Sequence, residues 1–286
     1  MICYQSVWND IHHPFHARFA NGRELDRLNA DGGVSRMLAS VISDVRDGHL
    51  LPEEAVWRER IESLRASMNR SDEMLEIADY GAQSPLKKLS DDEMYKGRVI
   101  VRRMGELCRS SSKPPKWSLF LFRLVRAFAP CTCIELGTCL GISGAYIGAA
   151  LALNGKGRLI TIEGAESLAK ASRRNFDELG LPSIEVVPGR FQDVLPCVLE
   201  SAKEIQMVFI DGHHDGPSTL RYFETIVPSL ADNAIVIFDD IAWSKEMHEA
   251  WKALERHPRV RLSADMFDMG LCCIGTQTHQ RFRIAV

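Results

Sequence analysis

The second part of the sequence predicts an α/β fold with a doubly wound, mostly parallel sheet. From residue 131 onward, short apolar runs alternate with amphipathic segments, and such alternation of strands and helices builds βαβ units. Hydrophobic residues make up 45% of the chain and charged residues 26%, which is typical of a globular protein. With 286 residues, the chain is long enough to bury a sizeable core.

The first part of the sequence has a different pattern. It is rich in Arg, Glu, Asp and Ser, and we find no strand-like runs in it. Apolar residues three and four positions apart predict helices at 33–46, 52–68, 89–111 and 118–128. Pro52 suits the first turn of the second helix, and Ser90 is a candidate N-cap for the third. We therefore divide the chain into an N-terminal helical extension at 1–115 and an α/β domain at 116–286.

The pattern of the α/β domain predicts seven strands and five helices. We expect the strands at 132–136, 158–162, 184–188, 206–211, 233–238, 259–264 and 268–275. We expect the helices at 142–154, 166–180, 191–203, 217–230 and 245–257. Too few residues separate the last two strands for a crossover helix, so these two strands should pair antiparallel.

Charge and cysteine content narrow the class of protein. The net charge of −3 provides no field that favours nucleic acid or an anionic membrane. The eight cysteines form neither a CxxC pair nor a Cys/His zinc pattern, so we interpret them as reduced thiols and expect a cytoplasmic protein. The sequence has no apolar run of transmembrane length, and its start lacks the features of a signal peptide.

A turn that contains two glycines follows the first predicted strand, in "IELGTCLGIS" at 134–143. Such a turn exposes backbone N–H groups and lets a ligand approach the main chain. A dinucleotide site would require G-x-G-x-x-G, whereas this turn has only Gly137 and Gly141, and Glu135 would repel a pyrophosphate. A carboxylate here suits a positively charged ligand, and S-adenosylmethionine carries both a sulfonium and an α-amino group.

A second acid, Glu163, ends the next predicted strand in "TIEGAES". An acid at this position of a doubly wound fold accepts hydrogen bonds from ribose hydroxyls. The loop "PGRFQDVLP" at 188–196 follows the third strand and is a candidate to enclose an adenine.

Five motifs in this order resemble a known family: "ELGTCLGIS", "TIEGAES", "PGRFQDVLP", "VFIDGHH" and "IVIFDDI". Together they are similar to class I S-adenosylmethionine-dependent methyltransferases, within these to the catechol-type O-methyltransferase branch and its bacterial relatives. The resemblance covers roughly residues 115–275. It implies a Rossmann-like sheet of seven strands in the order 3-2-1-4-5-7-6, with strand 7 antiparallel.

The resemblance also implies the residues that bind the cofactor. It assigns to the methionine part Glu135, Gly137, Thr138, Gly141 and Ser143. It assigns Glu163 and Gly164 to the ribose, Phe191 and Gln192 to the adenine, and Asp211 to the end of the site nearest the chemistry. Taken alone, the turn and the acid at the second strand end are also compatible with other Rossmann-like folds, and Phe191 with a core position.

Acidic residues and histidines end the fourth and fifth strands, in "FIDGHH" and "FDDI". In the catechol-type branch the matching acids hold a divalent cation, which implies a Mg²⁺ site at Asp211, Asp239 and Asp240. The third position is usually an amide, and here it is Asp240. The usual general-base lysine is replaced by His214, which can accept a proton at neutral pH or bind the metal. The alternative is that these acids only cap turns.

Two further segments are candidates to line the acceptor site. Trp243, Met247 and Trp251 recur four residues apart, which predicts a core-facing stripe with Trp243 nearest the acceptor. Residues 79–90, with Tyr80, form either a lid or a plain linker. In such proteins an N-terminal extension covers the site or forms a dimer interface, so we expect a homodimer.

We therefore expect a cytoplasmic enzyme that moves a methyl group from S-adenosylmethionine to an oxygen of a small molecule, with an aromatic hydroxyl as the favoured acceptor. His214 and Asp211 are the catalytic candidates. A metal-independent methyltransferase that acts on a nitrogen, a carboxylate, a peptide or a biosynthetic intermediate is the first alternative. An NAD-dependent oxidoreductase and a non-catalytic binding module are the others.

Overall fold

The computed structural model describes residues 16–81, 90–275 and 279–286. The strands are β1 (Met74–Asp79), β2 (Arg98–Arg103), β3 (Thr132–Leu136), β4 (Arg158–Glu163), β5 (Ile184–Pro188), β6 (Ile205–Ile210), β7 (Leu230–Phe238), β8 (Val260–Asp265), β9 (Gly270–Ile274) and β10 (Gln280–Arg283). The helices are α1 (His16–Ala30), α2 (Gly33–Asp47), α3 (Pro52–Asn69), α4 (Asp91–Lys96), α5 (Met104–Ser111), α6 (Pro115–Phe128), α7 (Ile142–Asn154), α8 (Glu166–Leu179), α9 (Phe191–Ser201), α10 (Gly216–Ile226) and α11 (Lys245–Leu254), with a short 3-10 helix at Val227–Ser229.

A central sheet of eight strands runs in the order β10-β8-β9-β7-β6-β3-β4-β5. Strand β9 pairs antiparallel with both β7 and β8, and the other neighbours are parallel. This arrangement confirms the predicted α/β fold, the order 3-2-1-4-5-7-6 and the antiparallel seventh strand. The eighth strand, β10, was not predicted, because four residues are too few to carry a clear strand pattern.

Alternate residues of the central strands enter two separate cores, because successive side chains of a strand point to opposite faces. On one face, Cys133 and Phe209 join the core beneath α7 and α8. On the other face, Ile134 and Val208 join the core that contains Phe223 of α10. The central strands are thus buried on both sides, which explains their continuous apolar runs.

The N-terminal helices pack onto the first of these cores. Ile42 of α2 and Ile61 of α3 are fully buried, and they belong to the same apolar cluster as Phe120 of α6. The helices at 33–46 and 52–68 are confirmed within about a residue, and Pro52 is the first residue of its helix. The division of the chain at residue 115 stays a prediction.

The predicted single helix at 89–111 is wrong, and so is the expectation that this part of the chain has no strands. The structure has α4, β2 and α5 in this segment, and β2 pairs antiparallel with β1, with Ile77 opposite Ile100. Helix α4 ends at Gly97, whose φ of 63° interrupts the helix, and the β-branched residues that follow prefer a strand. Ser90 is confirmed as the N-cap: its hydroxyl accepts the N–H of Glu93 at 3.3 Å.

Among the described helices, none has both the length and the apolar character needed to cross a membrane. Of the predicted stripe, Met247 and Trp251 are buried on α11, as expected for core residues, whereas Trp243 precedes the helix and is half-buried. Most of the predicted lid segment, 82–89, lies outside the described residues.

Candidate active site

A cavity of about 260 Å³ opens at the carboxyl edge of the central sheet. Its floor consists of residues that follow β3, β4 and β6, the edge at which doubly wound folds bind ligands. One wall comes from the N-terminal region, from the β1–β2 hairpin, α5 and the residues after α5. The cavity therefore joins two parts of the chain that the sequence pattern distinguishes.

The turn after β3 requires glycine at both predicted positions. Gly137 has a φ of 105°, and a Cβ there would overlap the backbone carbonyl of Asp211. Gly141 has a φ of 84° at the N-cap of α7, where a Cβ would press on the ring of Phe176. Gly137 lines the cavity. Gly141 is needed for the conformation of the turn but is not among the residues that line the cavity.

Glu135 is fully buried below this turn and does not line the cavity, so the structure does not bring it to the position where we expected direct ligand contact. Its Oε2 accepts a hydrogen bond from Thr161 Oγ1 at 2.6 Å, and Thr161 Oγ1 lies 2.6 Å from Thr138 Oγ1. Burial raises the pKa of Glu135 to about 7, against the lowering effect of the hydroxyls of Ser143 and Thr161. Ser143 is hydrogen-bonded to this carboxyl directly and Thr138 is linked to it through Thr161, and both Ser143 and Thr138 line the cavity.

Glu163 connects the turns after β3 and β4. Its Oε2 accepts the backbone N–H of Cys139 at 2.8 Å, and its Oε1 accepts that of Ala165 at 2.8 Å. Burial raises the pKa of Glu163, although these backbone hydrogen bonds oppose the shift. Because each carboxylate oxygen has two lone pairs, both oxygens keep acceptor capacity toward the cavity that Glu163 lines.

The predicted adenine and ribose positions are only partly brought together. Phe191 lines the cavity and packs edge-to-face on the rings of His213 and Tyr222. Gly164 also lines the cavity, where a Cβ would meet the ring of Tyr80 at 2.8 Å. Gln192, the second residue of α9, is exposed and is not among the residues that line the cavity.

Lys113, which no sequence motif marks, lies between the acids that follow β6 and β7. Its Nζ forms an ion pair with Asp239 Oδ2 and lies 3.6 Å from Asp211 Oδ1. Burial alone would lower the pKa of Lys113, but the charges of the neighbouring acids outweigh burial and raise the pKa, so the side chain is an ammonium at neutral pH.

The two acids respond differently to the shared ammonium. Burial is the largest single effect and would raise the pKa of Asp239, but the charge of Lys113 and the hydrogen bonds with Asp211 and Lys113 together outweigh burial and lower the pKa. Burial and the charge of Asp239 raise the pKa of Asp211 well above its ordinary value. Asp239 is thus the carboxylate that is paired with the ammonium at neutral pH.

His214 faces the acids Asp211, Asp239 and Asp240, which we call the acid cluster. Its Nδ1 lies 3.3 Å from Asp240 Oδ2, its Nε2 lies 4.0 Å from Asp211 Oδ1, and its ring centroid is 5.8 Å from that of Trp243. His213 differs: its Nδ1 lies 2.8 Å from the hydroxyl of Tyr222, and burial lowers its pKa to about 4. His213 is therefore neutral at physiological pH, while His214 stands beside the acids.

The grouping of possible metal ligands differs from the sequence prediction. Among the described residues, Asp211, His214 and Asp239 have ligand atoms within 4.8 Å of one another. Asp240 is not in this group, although its Oδ2 lies 3.3 Å from His214 Nδ1. The ammonium of Lys113 lies against two of the three ligands, so the arrangement does not fit a divalent cation unless Lys113 moves away.

The fold, with its antiparallel β9 next to β7, is that of a Rossmann-like methyltransferase. The profile of the methyltransferase domain family matches residues 134–241. A catechol O-methyltransferase from Niastella koreensis is 32% identical over 159 residues, which are 54% of this chain and 70% of that protein.

Two solved structures have the same fold. The S-adenosylhomocysteine-bound methyltransferase PaMTH1 from Podospora anserina is 18% identical with a TM-score of 0.51, over 58% of this chain and 80% of that one. The O-methyltransferase TomG from Streptomyces achromogenes, solved with S-adenosylmethionine, is 22% identical with a TM-score of 0.50, over 58% of this chain and 82% of that one.

The chain therefore belongs to the class I S-adenosylmethionine-dependent methyltransferases, in the catechol-type O-methyltransferase branch. This assignment confirms the resemblance found in the sequence, and it removes the NAD-dependent oxidoreductase from the alternatives.

Proposed function

We propose that the protein transfers the methyl group of S-adenosylmethionine to a hydroxyl oxygen of a small aromatic molecule. One observation carries the proposal: a single cavity joins the glycine turn and Glu163 to Asp211 and His214. The 32% identity to a catechol O-methyltransferase supports oxygen as the acceptor atom. The cofactors bound to PaMTH1 and TomG support S-adenosylmethionine as the donor.

The donor is bound, in this proposal, along the floor of the cavity. Glu163 accepts hydrogen bonds from the ribose hydroxyls, because its oxygens keep free lone pairs after accepting two backbone N–H groups. Thr138 and Ser143 contact the methionine part, and Phe191 packs against the adenine. Glu135 acts indirectly, by holding the turn that carries Thr138.

His214 removes the proton of the acceptor hydroxyl in this proposal. The carboxylate of Asp240 near Nδ1 orients the imidazole and stabilises the imidazolium, which leaves Nε2 to accept the proton. The acceptor oxygen attacks the methyl carbon, the carbon–sulfur bond breaks, and S-adenosylhomocysteine leaves with the bonding electron pair. The displacement is fast only if oxygen and methyl carbon are held in line at close range.

The wall of the cavity favours an aromatic acceptor. Ile77 and Ile100 of the hairpin and Leu107 of α5 line it and offer apolar contacts for a ring, while the acids and His214 receive the polar edge. A cytoplasmic location and a homodimer remain predictions beside this function.

Calorimetry with S-adenosylhomocysteine, followed by turnover with labelled S-adenosylmethionine and a panel of catechols and phenols, tests the proposal. We expect binding and O-methylation of at least one panel member. Methylation of amines or carboxylic acids instead would favour the alternative acceptor classes. Cofactor binding without turnover on any acceptor class would favour the non-catalytic module.

A further inference from the structure

We propose that the ammonium of Lys113 takes the place of a divalent cation at the acid cluster, so that the enzyme activates its acceptor oxygen without metal. The inference rests on the proposed function, because it concerns the same reaction site. It replaces the Mg²⁺ site that the sequence resemblance implies.

Two acids at neighbouring strand ends hold the ammonium. Lys113 Nζ is paired with Asp239 Oδ2 and lies 3.6 Å from Asp211 Oδ1, and all three side chains are at most 13% exposed. These are two of the three carboxylates that the resemblance assigns to the metal, the third being Asp240. A dication placed between them would lie at ion-pair distance from a fixed positive charge, and its binding would therefore be opposed by repulsion.

The backbone around Lys113 fixes it in this position. Its carbonyl oxygen accepts a hydrogen bond from Arg65 Nη1 at 2.8 Å and one from Ser118 Oγ at 3.3 Å. Pro114 and Pro115 follow directly, and α6 begins at Pro115. The prolines restrict φ, and the two hydrogen bonds attach the segment to α3 and α6. The backbone position of Lys113 is therefore fixed relative to the two acids.

The ammonium supplies the electrostatic part of the chemistry that a metal would supply. Lys113 lines the cavity and has three N–H donors, of which Asp239 takes one. A remaining donor is available to the acceptor oxygen and stabilises the negative charge that develops as the proton moves to His214. One fixed charge with directional donors acts here instead of a coordinated ion.

Binding of Mn²⁺, measured by electron paramagnetic resonance in the presence of S-adenosylhomocysteine, tests the inference without a known acceptor. We expect the wild type not to bind Mn²⁺ specifically and Lys113→Met, which has similar length and no charge, to bind it. Lys116→Met is the matched control, since Lys116 lies three residues away over the ring of Trp117, and it should behave as the wild type. Specific Mn²⁺ binding by the wild type, or none by Lys113→Met, would overturn the inference.

Turnover gives a second readout. Wild-type turnover should be unaffected by EDTA, and Lys113→Met should lose about 100-fold in kcat and recover part of it with Mg²⁺. Lys113→Arg keeps the charge and should stay insensitive to EDTA. Loss of wild-type turnover in EDTA, with S-adenosylhomocysteine still bound, would overturn this inference and leave the proposed function standing. Absence of S-adenosylhomocysteine binding would overturn both.

Discussion

Gly137, in the turn after β3, lies directly against the backbone carbonyl of Asp211, in the turn after β6. The N–H of Asp211 in turn donates a hydrogen bond to the carbonyl of Leu136 at 2.9 Å. This contact fixes the turn after β3 and the turn that carries Asp211 to each other at adjacent strand ends. The distance between the parts of the cavity that we propose to bind the donor and to react is therefore set by the backbone.

Replacing Gly137 by alanine should strongly destabilise the fold. The new Cβ would overlap the carbonyl of Asp211, and the φ of 105° is unfavourable for any L side chain, so we expect a loss of about 3 kcal/mol in the free energy of unfolding. Urea denaturation measures the loss. Gly155→Ala is the matched control: Gly155 has a φ of 66° with nothing within 4 Å, so only the backbone cost of about 1 kcal/mol applies. Equal losses in the two variants would contradict the steric explanation.

Glu163→Ala should weaken binding of S-adenosylhomocysteine by about 10- to 100-fold, because it removes the acceptor of the ribose hydroxyls. Isothermal titration calorimetry gives the dissociation constants. Glu166→Ala, an exposed acid at the start of α8 that pairs with Lys170, should bind as tightly as the wild type. Since Glu163 also accepts two backbone N–H groups, thermal melting must accompany the titration. An unchanged affinity in a folded Glu163→Ala protein would refute the assigned role.

His214→Ala should lower kcat by about 100-fold or more while the affinity for S-adenosylhomocysteine stays the same, because it removes the proton acceptor and leaves the donor site intact. Steady-state kinetics and calorimetry on the same preparation separate the two effects. His248→Ala, on α11, is the control and should retain wild-type turnover. If His214→Ala and wild type turn over equally, His214 is not the base.

The stability of the protein should fall as the pH drops from about 6.5 toward 4. Burial lowers the pKa of His213 to about 4 in the folded protein, while the unfolded chain keeps the ordinary value of 6.5. Between these values the unfolded state binds more protons, so the contribution of His213 is fully present above pH 6.5 and is lost on acidification. The loss should be on the order of 2 kcal/mol.

His213→Asn, which cannot titrate, serves as the comparison for this pH dependence. Its free energy of unfolding should change less than that of the wild type over the same interval of pH. Parallel curves for the two proteins would assign the acid sensitivity to other groups.

The α/β half of the chain was predictable because its signal is local. Buried parallel strands such as β3 read as short apolar runs, and amphipathic helices such as α8 separate them, so element ends agree to within a few residues. Strand β2 was mistaken for helix because "RVIVRR" reads equally well at helical spacing when its partner strand is unknown. It forms a strand because it pairs with β1, and this pairing is a tertiary contact that the local sequence does not show.

The candidate site was predictable where residues sit at strand ends and not where distant segments meet. Ligands bind at the carboxyl edge of a parallel sheet, and this rule predicts that the cavity is lined by Glu163, Asp211 and His214. Lys113 is 126 residues away from Asp239 in the sequence and stands among serines and prolines that indicate only a break. No local pattern connects a lysine in such a break with a carboxylate on β7.

The floor and the wall of the cavity come from separate stretches of chain, and this separation has an evolutionary consequence. If the proposed function holds, exchange of Ile77, Ile100 and Leu107 should change which acceptor compound binds, while the turns after β3 and β4 should still bind the same methyl donor. Mutations restricted to β1, β2 and α5, whether natural or in a laboratory library, should therefore alter acceptor specificity without loss of S-adenosylmethionine binding.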